Sequence, residues 1–449
     1  MDILIVGGGF TGVSAAAALA DGRRRITILE ARAGKNPRFN GELIHPTGVA
    51  VLDELGLLPE LAKHGGVPVQ GFAVVPSPTE DAVLLPYREI PGARPDGFAM
   101  DHHEMVARMR AAVVRRPGVE LRTGERVVDV LREGERVVGV RTADGTERRA
   151  DLVLVAEGRH SRLRPMLGIE EEAHLLSFTA AVFVEGVELP NPGYGHIFLG
   201  AWGPILAYAI GPGQVRMCID LPTDMDKGKD AVVRRIREEY APYVPEPLRS
   251  GMLASLDSRA LEMCATHAIY TQRCSGPGFA LLGDAGGCSH PLTAAGMTIC
   301  LTDIKTLVGE LEAGASPGPA AVDAAVARYQ KNRYRFVRAR EILADALYEV
   351  FRGAEDGTRA IRHGIFRYWS GSARARAASM ALLSGHDSRL HSFLGEYLRV
   401  VAQSVSGALR GQVNDPSLAG RARSLAGLAR KSFEKLEKVV ASVKDGSLR

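Results

Sequence analysis

The sequence predicts an α/β protein in which a β-α-β unit opens the chain, a β-sheet region occupies its middle and a helical region closes it. Three observations support this prediction. Residues 2–32, DILIVGGGFTGVSAAAALADGRRRITILEAR, contain an apolar strand, a glycine turn, an Ala-rich helix and a second strand. Between residues 177 and 222, segments such as SFTAAVFVEGVEL and QVRMCIDLP have strand-like composition with Gly and Pro turns. From residue 331 onward, apolar residues recur at helical spacing.

The composition indicates an ordinary folded protein of two or three domains. Its 449 residues are 46% hydrophobic and 24% charged, which suffices for a large core. The net charge of +4 is small for this length, and no segment interleaves aromatic with basic residues. The sequence therefore indicates no nucleic-acid partner.

Cysteine usage and the start of the chain bear on its compartment. The five cysteines are odd in number and form no CxxC motif, which favours reduced thiols in the cytoplasm over a disulfide frame or a zinc site. The adjacent His102 and His103 have no second ligand cluster at a matching spacing, so we expect no metal. The first strand begins at Asp2 and no run of about 18 apolar residues occurs, so we expect neither a signal peptide nor a membrane span.

The glycines of the first turn are spaced as Gly7-x-Gly9-x-x-Gly12. In a dinucleotide-binding turn, the first glycine permits the tight turn, the second lets the backbone approach a pyrophosphate, and the third packs helix against strand. The helix N-terminus adds N–H donors and a positive dipole end. Glu30, at the end of the second strand, is placed to accept hydrogen bonds from ribose hydroxyls. The turn thus predicts a dinucleotide site, with NAD and FAD as alternatives.

Two motifs further along the chain favour FAD. In ADLVLVAEGRHSRLRPMLG, residues 150–168, a strand ends on Glu157-Gly158. In GDAGGCSHPLTAAGMTICLTDIKTL, residues 283–307, an acid at a strand end precedes three small residues and a helix. Both motifs resemble those of flavoprotein monooxygenases built like p-hydroxybenzoate hydroxylase, although that class usually has Asp-Gly in the first. The resemblance implies that Asp284 contacts the ribitol chain, that the small residues lie against the flavin ring, and that the helix N-terminus faces its N1–C2=O edge.

Within this class, several segments are similar to those of the squalene epoxidase (squalene monooxygenase) family. HPLTAAGMT, residues 290–298, matches that family's HPLTGGGMT, and GELIHPTG, residues 41–48, matches its GELLQPGG. LADALYEVF, IFRYW and ALLSG follow in the order of the family's C-terminal region. The resemblance covers about residues 2–405, without the family's N-terminal membrane segment, and extends to related bacterial polyene and prenylquinolone epoxidases.

The resemblance also implies a set of site residues. The implied FAD contacts are Gly7, Gly9, Phe10, Thr11, Gly12, Glu30, Arg38, Leu43, Arg110, Arg126 (through its backbone), Asp284, Ala294, Ala295, Gly296 and Met297. Tyr87 matches a tyrosine that helps to order the family's active site, and His45 replaces that tyrosine's glutamine partner. Tyr87, His45 and His290 are therefore the candidate catalytic residues, with a structural role as the alternative for His290.

The fold implied by the resemblance is a Rossmann-type FAD-binding domain with a β-sheet substrate domain and a C-terminal helical region, as in p-hydroxybenzoate hydroxylase. The expected division follows the motifs. The FAD-binding domain takes residues 1–75, 98–170 and 265–330, the substrate domain takes residues 76–97 and 171–264, and the helical region takes residues 331–449.

The activity implied is FAD-dependent epoxidation of an alkene in an apolar isoprenoid or polyene. NAD(P)H would reduce FAD, O₂ would add at C4a, and the resulting C4a-hydroperoxyflavin would transfer oxygen. Three alternatives stay open: oxygenation of a prenylated aromatic such as a quinolone, reduction of isoprenoid double bonds as in geranylgeranyl reductases, and a non-catalytic protein with the same fold. A separate flavin reductase that supplies the electrons is a further possible partner, and the sequence leaves this choice open.

The C-terminal helices pose a question of membrane contact. In RLHSFLGEYLRVVAQSV, residues 389–405, apolar residues form one stripe, and basic residues are frequent after Pro416. One alternative is that these helices rest on an anionic membrane surface, which would make the cytoplasmic protein peripherally membrane-associated. The other is that they pack on their own domain with a solvated basic face.

Overall fold

The computed structural model describes residues 1–34, 40–200, 202–258, 261–313, 318–353, 355–412 and 415–447, with side chains through residue 440. Its strands are, in chain order, β1 (Asp2–Val6), β2 (Arg25–Glu30), β3 (Leu43–Ile44), β4 (Val67–Val69), β5 (Gly71–Val75), β6 (Val83–Pro86), β7 (Gly97–Ala99), β8 (Val119–Thr123), β9 (Val127–Glu133), β10 (Arg136–Thr142), β11 (Glu147–Arg149), β12 (Leu152–Val155), β13 (Glu171–Glu185), β14 (Tyr194–Phe198), β15 (Ile205–Gly211), β16 (Gln214–Leu221), β17 (Leu261–Thr271), β18 (Ser275–Gly276) and β19 (Phe279–Leu281).

The helices are α1 (Phe10–Leu19), α2 (Pro46–Glu54), α3 (Leu58–Lys63), α4 (His102–Val113), α5 (Leu163–Met166), α6 (Lys229–Arg235), α7 (Leu248–Asp257), α8 (Gly296–Ala313), α9 (Pro319–Arg352), α10 (Asp356–Gly371), α11 (Ala373–Ser384), α12 (Leu390–Leu409) and α13 (Leu418–Ser447). Short 3₁₀ turns cover Tyr87–Glu89, Ala241–Tyr243, Gly283–Gly286 and Pro291–Thr293, and a π-helical turn covers Ile236–Tyr240.

The first sheet has the strand order β18-β19-β12-β1-β2-β8, with β19, β12, β1, β2 and β8 parallel to one another. Its central strands are largely apolar, with LVLV in β12 and ILIV after Asp2 in β1, as expected for a parallel sheet covered on both faces. Ile3, Ile5 and Val153 are buried in one core with Val13 of α1 and Ile304 of α8. The predicted β-α-β unit is confirmed, and its glycine turn lies at the carboxyl end of β1.

The second large sheet has the order β17-β13-β16-β15-β14-β5-β6. Its pairs are antiparallel except β14 with β5. The predicted β-sheet region is confirmed, and the sheet also recruits β5, β6 and β17. Strand β17 runs through the predicted division at residues 264 and 265, because its ladder with β13 continues to Thr271. The division of the chain into domains stays a prediction.

The C-terminal region is helical, as predicted, and it packs against the second sheet. Tyr348 and Phe351 of α9 and Trp369 of α10 share a buried cluster with Phe72 and Leu85 of that sheet. Burying such aromatic side chains stabilises the contact by roughly 1.5–3 kcal/mol each. The helical region thus covers part of the second sheet.

Helix α13 is held to the protein through its basic side chains. Its ion pairs include Lys431 with Glu349, Lys438 with Asp345 at 3.1 Å, and Arg430 with Glu355. Phe433, on the same helix, is 63% exposed. In the part of the chain that the structure describes, none of the helices has the length and apolar composition of a membrane span.

Candidate active site

A cavity of about 660 Å³ is bordered by the glycine turn, by the loop from Asp284 to Met297 and by one face of the seven-stranded sheet. The predicted FAD contacts that line it are Gly7, Gly9, Phe10, Thr11, Glu30, Leu43, Arg126, Asp284, Ala294, Ala295, Gly296 and Met297. His290 also lines it. Gly12, Arg110, His45 and Tyr87 are not among the lining residues, and Arg38 lies outside the described residues.

The glycine turn leaves space for a ligand beside Gly9. Gly7 has a φ of +108°, and a Cβ there would overlap the Ala156 carbonyl, so the protein itself requires glycine. Gly9 has the ordinary extended backbone (φ −75°, ψ −170°), and a Cβ there would meet no heavy atom within 4 Å. Helix α1 starts at this point without a side-chain cap. Its free N–H groups and the adjacent space fit a pyrophosphate.

Glu30 and Arg110 both form hydrogen bonds with the backbone of Gly8 in the glycine turn. Glu30 Oε2 accepts a hydrogen bond from the Gly8 N–H at 2.8 Å, and Arg110 Nε donates to the Gly8 carbonyl at 2.7 Å. Arg110 also lies 3.4 Å from Glu30 Oε2. Glu30 lines the cavity, whereas Arg110 is not among its lining residues and contacts the Gly8 carbonyl and Glu30.

At position 157 a glutamate replaces the usual aspartate, and its side chain accepts hydrogen bonds within the same turn of the chain. Glu157 Oε2 accepts hydrogen bonds from the Ser161 hydroxyl at 2.7 Å and from the Leu163 N–H at 3.1 Å. Leu163 is the first residue of α5, so the longer side chain satisfies a donor at the helix start. Glu157 nevertheless lines the cavity, so the substitution keeps a carboxylate at its edge.

The loop that carries Asp284 is held by a buried ion pair. Arg333 Nε donates to both carboxylate oxygens of Asp303 at 3.0 Å, and its other nitrogens donate to the carbonyls of Gly283 and Gly286. Asp303 also accepts from the Gly283 N–H at 2.8 Å. Burial raises the pKa of the Asp284 carboxyl, and the charges of Arg159, Arg333 and Arg164 oppose that rise. An acceptor is thus presented to the cavity from a fixed backbone.

The small residues after this loop shape the floor of the cavity. Ala294 takes the left-handed conformation with φ of +49°, where L-residues pay roughly 1–2 kcal/mol. This is one of the two positions at which the related motif has glycine. Helix α8 then begins at Gly296, and Ala294, Ala295, Gly296 and Met297 all line the cavity. The low side-chain bulk leaves room for a flat ring beside a helix N-terminus.

His45 and Tyr87 form a fully buried pair behind this floor. His45 Nε2 lies 2.7 Å from the Thr293 carbonyl, which can only accept, so Nε2 carries the hydrogen. His45 Nδ1 therefore accepts from the Tyr87 hydroxyl at 2.6 Å. The backbone N–H of His45 donates to the Thr298 hydroxyl at 3.0 Å. The pair ties the 3₁₀ turn at Tyr87 to the loop that precedes Ala294.

Burial lowers the pKa of His45 to about 4, opposed by its bond to the Thr293 carbonyl and reinforced by Arg340. The unfolded chain binds this proton near pH 6.5, so the folded protein loses stability as pH falls from about 7 toward 4. We expect His45→Gln, which does not titrate, to remove about 2 kcal/mol of the stability lost between pH 7 and pH 5. Urea unfolding at the two pH values measures this difference. The control is the exposed His386→Gln, which should keep the wild-type slope, and an unchanged slope in His45→Gln would contradict the assignment.

His290 belongs to the wall of the cavity. Its Nδ1 accepts from the Leu292 N–H at 3.1 Å, and its ring stacks on Tyr348 with centroids 3.9 Å apart. Its Nε2 lies 3.3 Å from the Ser177 hydroxyl and 3.4 Å from Asp220. His290 therefore joins the loop, the second sheet and α9 at one point.

The roof of the cavity includes polar residues that the sequence interpretation did not assign. They are Thr179, Tyr208, Asp220 and Thr266, together with Glu42, whose carboxylate is paired with Arg216 Nε and Nη2 at 3.0 Å. The signal was present in QVRMCIDLP, where Arg216, Cys218 and Asp220 alternate and so share one face of β16. Identifying that face as the inner one required the sheet.

Comparison with known proteins identifies the family to which this chain belongs. The family model described as squalene epoxidase matches residues 149–416, which is more than half of the chain. This chain belongs to the squalene epoxidase family. A model described as FAD dependent oxidoreductase matches residues 2–65, the segment with the glycine turn. The predicted resemblance is confirmed. The prediction that the protein is an FAD-dependent monooxygenase is confirmed with it.

Individual relatives agree with the family match. This squalene epoxidase family member is 29% identical to squalene epoxidase erg1 of Aspergillus fumigatus over 382 residues, covering 82% of this chain and 79% of the relative. It is 27% identical to squalene monooxygenase of Mus musculus, covering 85% and 68%. Among solved structures, p-nitrophenol 4-monooxygenase PnpA of Pseudomonas putida superposes with a TM-score of 0.72 at 18% identity, covering 86% of this chain and 98% of that one. That structural likeness confirms the predicted fold class.

Proposed function

We propose that this family member is an FAD-dependent epoxidase that transfers one oxygen atom of O₂ to an alkene of an apolar isoprenoid or polyene. The observation that carries the proposal is the span of the squalene epoxidase match, residues 149–416. That span contains five of the seven strands of the sheet that roofs the cavity, β13 to β17, and the loop from Asp284 to Met297 that forms its floor. The parts that would face substrate and flavin thus fall within the match.

The residues around the cavity fit FAD. The turn at Gly9 and the N-terminus of α1 would hold the pyrophosphate, and Glu30 would accept from the ribose. Asp284 would accept from the ribitol chain, and the floor from Ala294 to Gly296 would lie against the ring. FAD, when bound, supplies the redox chemistry by taking electrons from NAD(P)H and activating O₂.

The sheet and the helical region would exclude water and position the alkene. Leu206 of β15 and Leu292 of the loop line the cavity and give its wall apolar surface. Oxygen transfer to an isolated alkene requires no base to ionise the substrate. The contribution of the protein is therefore orientation and desolvation.

Tyr87 and His45 are proposed as positioning residues. Both are fully buried and absent from the cavity lining, so they would act through Thr293 on the floor beside the flavin ring. His290 is proposed to fix the loop against the sheet and α9. None of the three needs to transfer a proton for this role.

The direct test is turnover by the FAD-loaded protein with NADPH, a flavin reductase, O₂ and squalene, followed by mass spectrometry. Addition of one oxygen atom to an alkene supports the proposal. Addition of two hydrogen atoms would instead identify a double-bond reductase. Omitting the flavin reductase tests the electron source, because turnover with NADPH alone would show that this chain accepts electrons directly.

Peripheral membrane contact through the C-terminal helices is a second proposal about the same protein. Phe433, Leu436 and Val440 follow one another at helical spacing on α13 and are 63%, 45% and 45% exposed. Leu398 and Leu409 of α12 are exposed as well. An exposed apolar stripe of this kind suits insertion into a lipid surface.

We expect Phe433→Glu combined with Leu436→Glu to lower binding to phosphatidylcholine–phosphatidylserine vesicles at least fivefold in co-sedimentation, because it places charge in the apolar stripe. The control is Met166→Glu, an exposed apolar residue on α5. Equal vesicle binding by all three proteins would contradict membrane contact at α13.

A further inference from the structure

Asp220 is a buried carboxylate without a hydrogen-bond partner in the wall of the cavity. It lies on β16 and is 5% exposed. Among the described residues, neither of its carboxylate oxygens accepts a hydrogen bond. Burying a carboxylate without hydrogen bonds is unfavourable, so we expect a bound ligand to supply a donor to its oxygens.

The neighbouring imidazole of His290 offers Asp220 a single N–H that it shares with Ser177. His290 Nδ1 accepts from the Leu292 N–H, so its Nε2 carries the hydrogen, 3.4 Å from Asp220 Oδ1. The same Nε2 lies 3.3 Å from the Ser177 hydroxyl. One shared N–H leaves most of the four acceptor positions of a carboxylate unused. Tyr348 stacks on His290, and its hydroxyl, which also lies near the side chains of Asp220 and Ser177, donates to the Leu176 carbonyl at 3.3 Å. Even if this single O–H turned to Asp220, other acceptor positions of the carboxylate would stay unused.

The surroundings of Asp220 form a small polar area in the roof. Thr179 is paired with Asp220 across the β13–β16 ladder, and its hydroxyl lies 2.8 Å from that of Thr266. All three line the cavity together with Leu206 and Leu292. A ligand that fills the cavity would therefore meet an acceptor-rich area next to apolar walls.

We propose that Asp220 accepts a hydrogen bond from an N–H or O–H group of the substrate. The substrate class is then an isoprenoid with a hydrogen-bond donor near the reacting alkene, and a plain hydrocarbon leaves Asp220 unsatisfied. His290 positions the carboxylate and does not contact the donor. This inference rests on the proposed function, since it names the substrate of the same cavity.

The test compares three probes of equal chain length: farnesol, farnesylamine and the farnesyl hydrocarbon that lacks the terminal donor. Calorimetric titration of the FAD-loaded protein gives each dissociation constant. We expect wild-type protein to bind a donor-bearing probe at least tenfold more tightly than the hydrocarbon, because the hydrocarbon leaves a buried acceptor unpaired. Preference for the alcohol or for the amine identifies the donor as neutral or cationic.

Variants locate the effect at Asp220. Asp220→Asn removes the charge at constant shape and should cut the preference about tenfold, since charge-assisted hydrogen bonds are about twice as strong as neutral ones. Asp220→Leu should abolish the preference and leave hydrocarbon binding unchanged or tighter. The exposed Asp224→Asn is the control and should bind as wild type.

The outcomes separate this inference from the proposed function. No preference of wild-type protein for a donor-bearing probe, or a preference that survives in both Asp220 variants, overturns the inference. If the preference depends on Asp220 but no probe is oxygenated, the binding site stands and the epoxidase proposal fails. If probes are oxygenated but wild type and the Asp220 variants show the same preference in binding, the epoxidase stands and the inference fails.

Discussion

Replacing Gly9 with leucine should yield a folded protein that binds FAD at least 100-fold more weakly. The backbone of Gly9 is one that any residue adopts, and a Cβ there meets no atom of the protein within 4 Å. The side chain would therefore occupy the space beside the N-terminus of α1, where the pyrophosphate is expected. Loss of a favourable N-cap residue costs only about 1 kcal/mol, so the fold should persist. Fluorescence titration of apoprotein with FAD measures the change.

The matched control is Gly309→Leu. Gly309 is an exposed glycine on α8, and a Cβ there also meets nothing within 4 Å. It is distant in sequence from the start of α8, so FAD affinity should stay within about twofold of wild type, a free-energy change below about 0.5 kcal/mol. Unchanged FAD affinity in Gly9→Leu would show that the cofactor does not use the glycine turn.

Replacing Arg333 with methionine should cost about 3–5 kcal/mol of unfolding free energy, because it leaves Asp303 buried without its counter-ion. Asp303 is fully buried, and Arg333 is 5% exposed. The same change removes the donors to the Gly283 and Gly286 carbonyls, so FAD affinity should fall as well. Urea unfolding of the apoprotein separates the stability effect from cofactor loss.

A double variant and a surface control make this result specific. Asp303→Asn with Arg333→Met should be less destabilised than the sum of the two single changes, because no unpaired charge remains and the amide oxygen can still accept from Gly283. Arg328→Met breaks the ion pair with Glu310 on the surface of α9 and should cost less than about 1 kcal/mol. Additive effects in the double variant would contradict a coupled pair.

The fold was predictable because its signals are local. The glycine turn, the Ala-rich helix and Glu30 lie within thirty residues, and each glycine constrains the backbone near it. The sheet and helical region followed from strand composition and helical spacing. The family motifs then located the floor of the cavity at Asp284 and Ala294–Met297, because those residues are contiguous in the chain.

The rest of the site depends on contacts between distant residues. Arg333 supports the Asp284 loop from α9, and nothing in the sequence around position 333 pairs it with Asp303. His45 and Tyr87 were paired by resemblance, but the direction of their hydrogen bond became clear only from the Thr293 carbonyl. Asp220 was missed because alternation along β16 identifies two faces without showing which one borders the cavity.

The most direct test of the central claim is isotope incorporation. FAD-loaded protein is supplied with NADPH, a flavin reductase and an isoprenoid alkene under ¹⁸O₂ in ordinary water, and the product is analysed by mass spectrometry. We expect an epoxide with one ¹⁸O atom, and we expect this product to be lost when Gly9→Leu replaces the wild-type protein. An unoxygenated product with two added hydrogens, or oxygen derived from water, would contradict it.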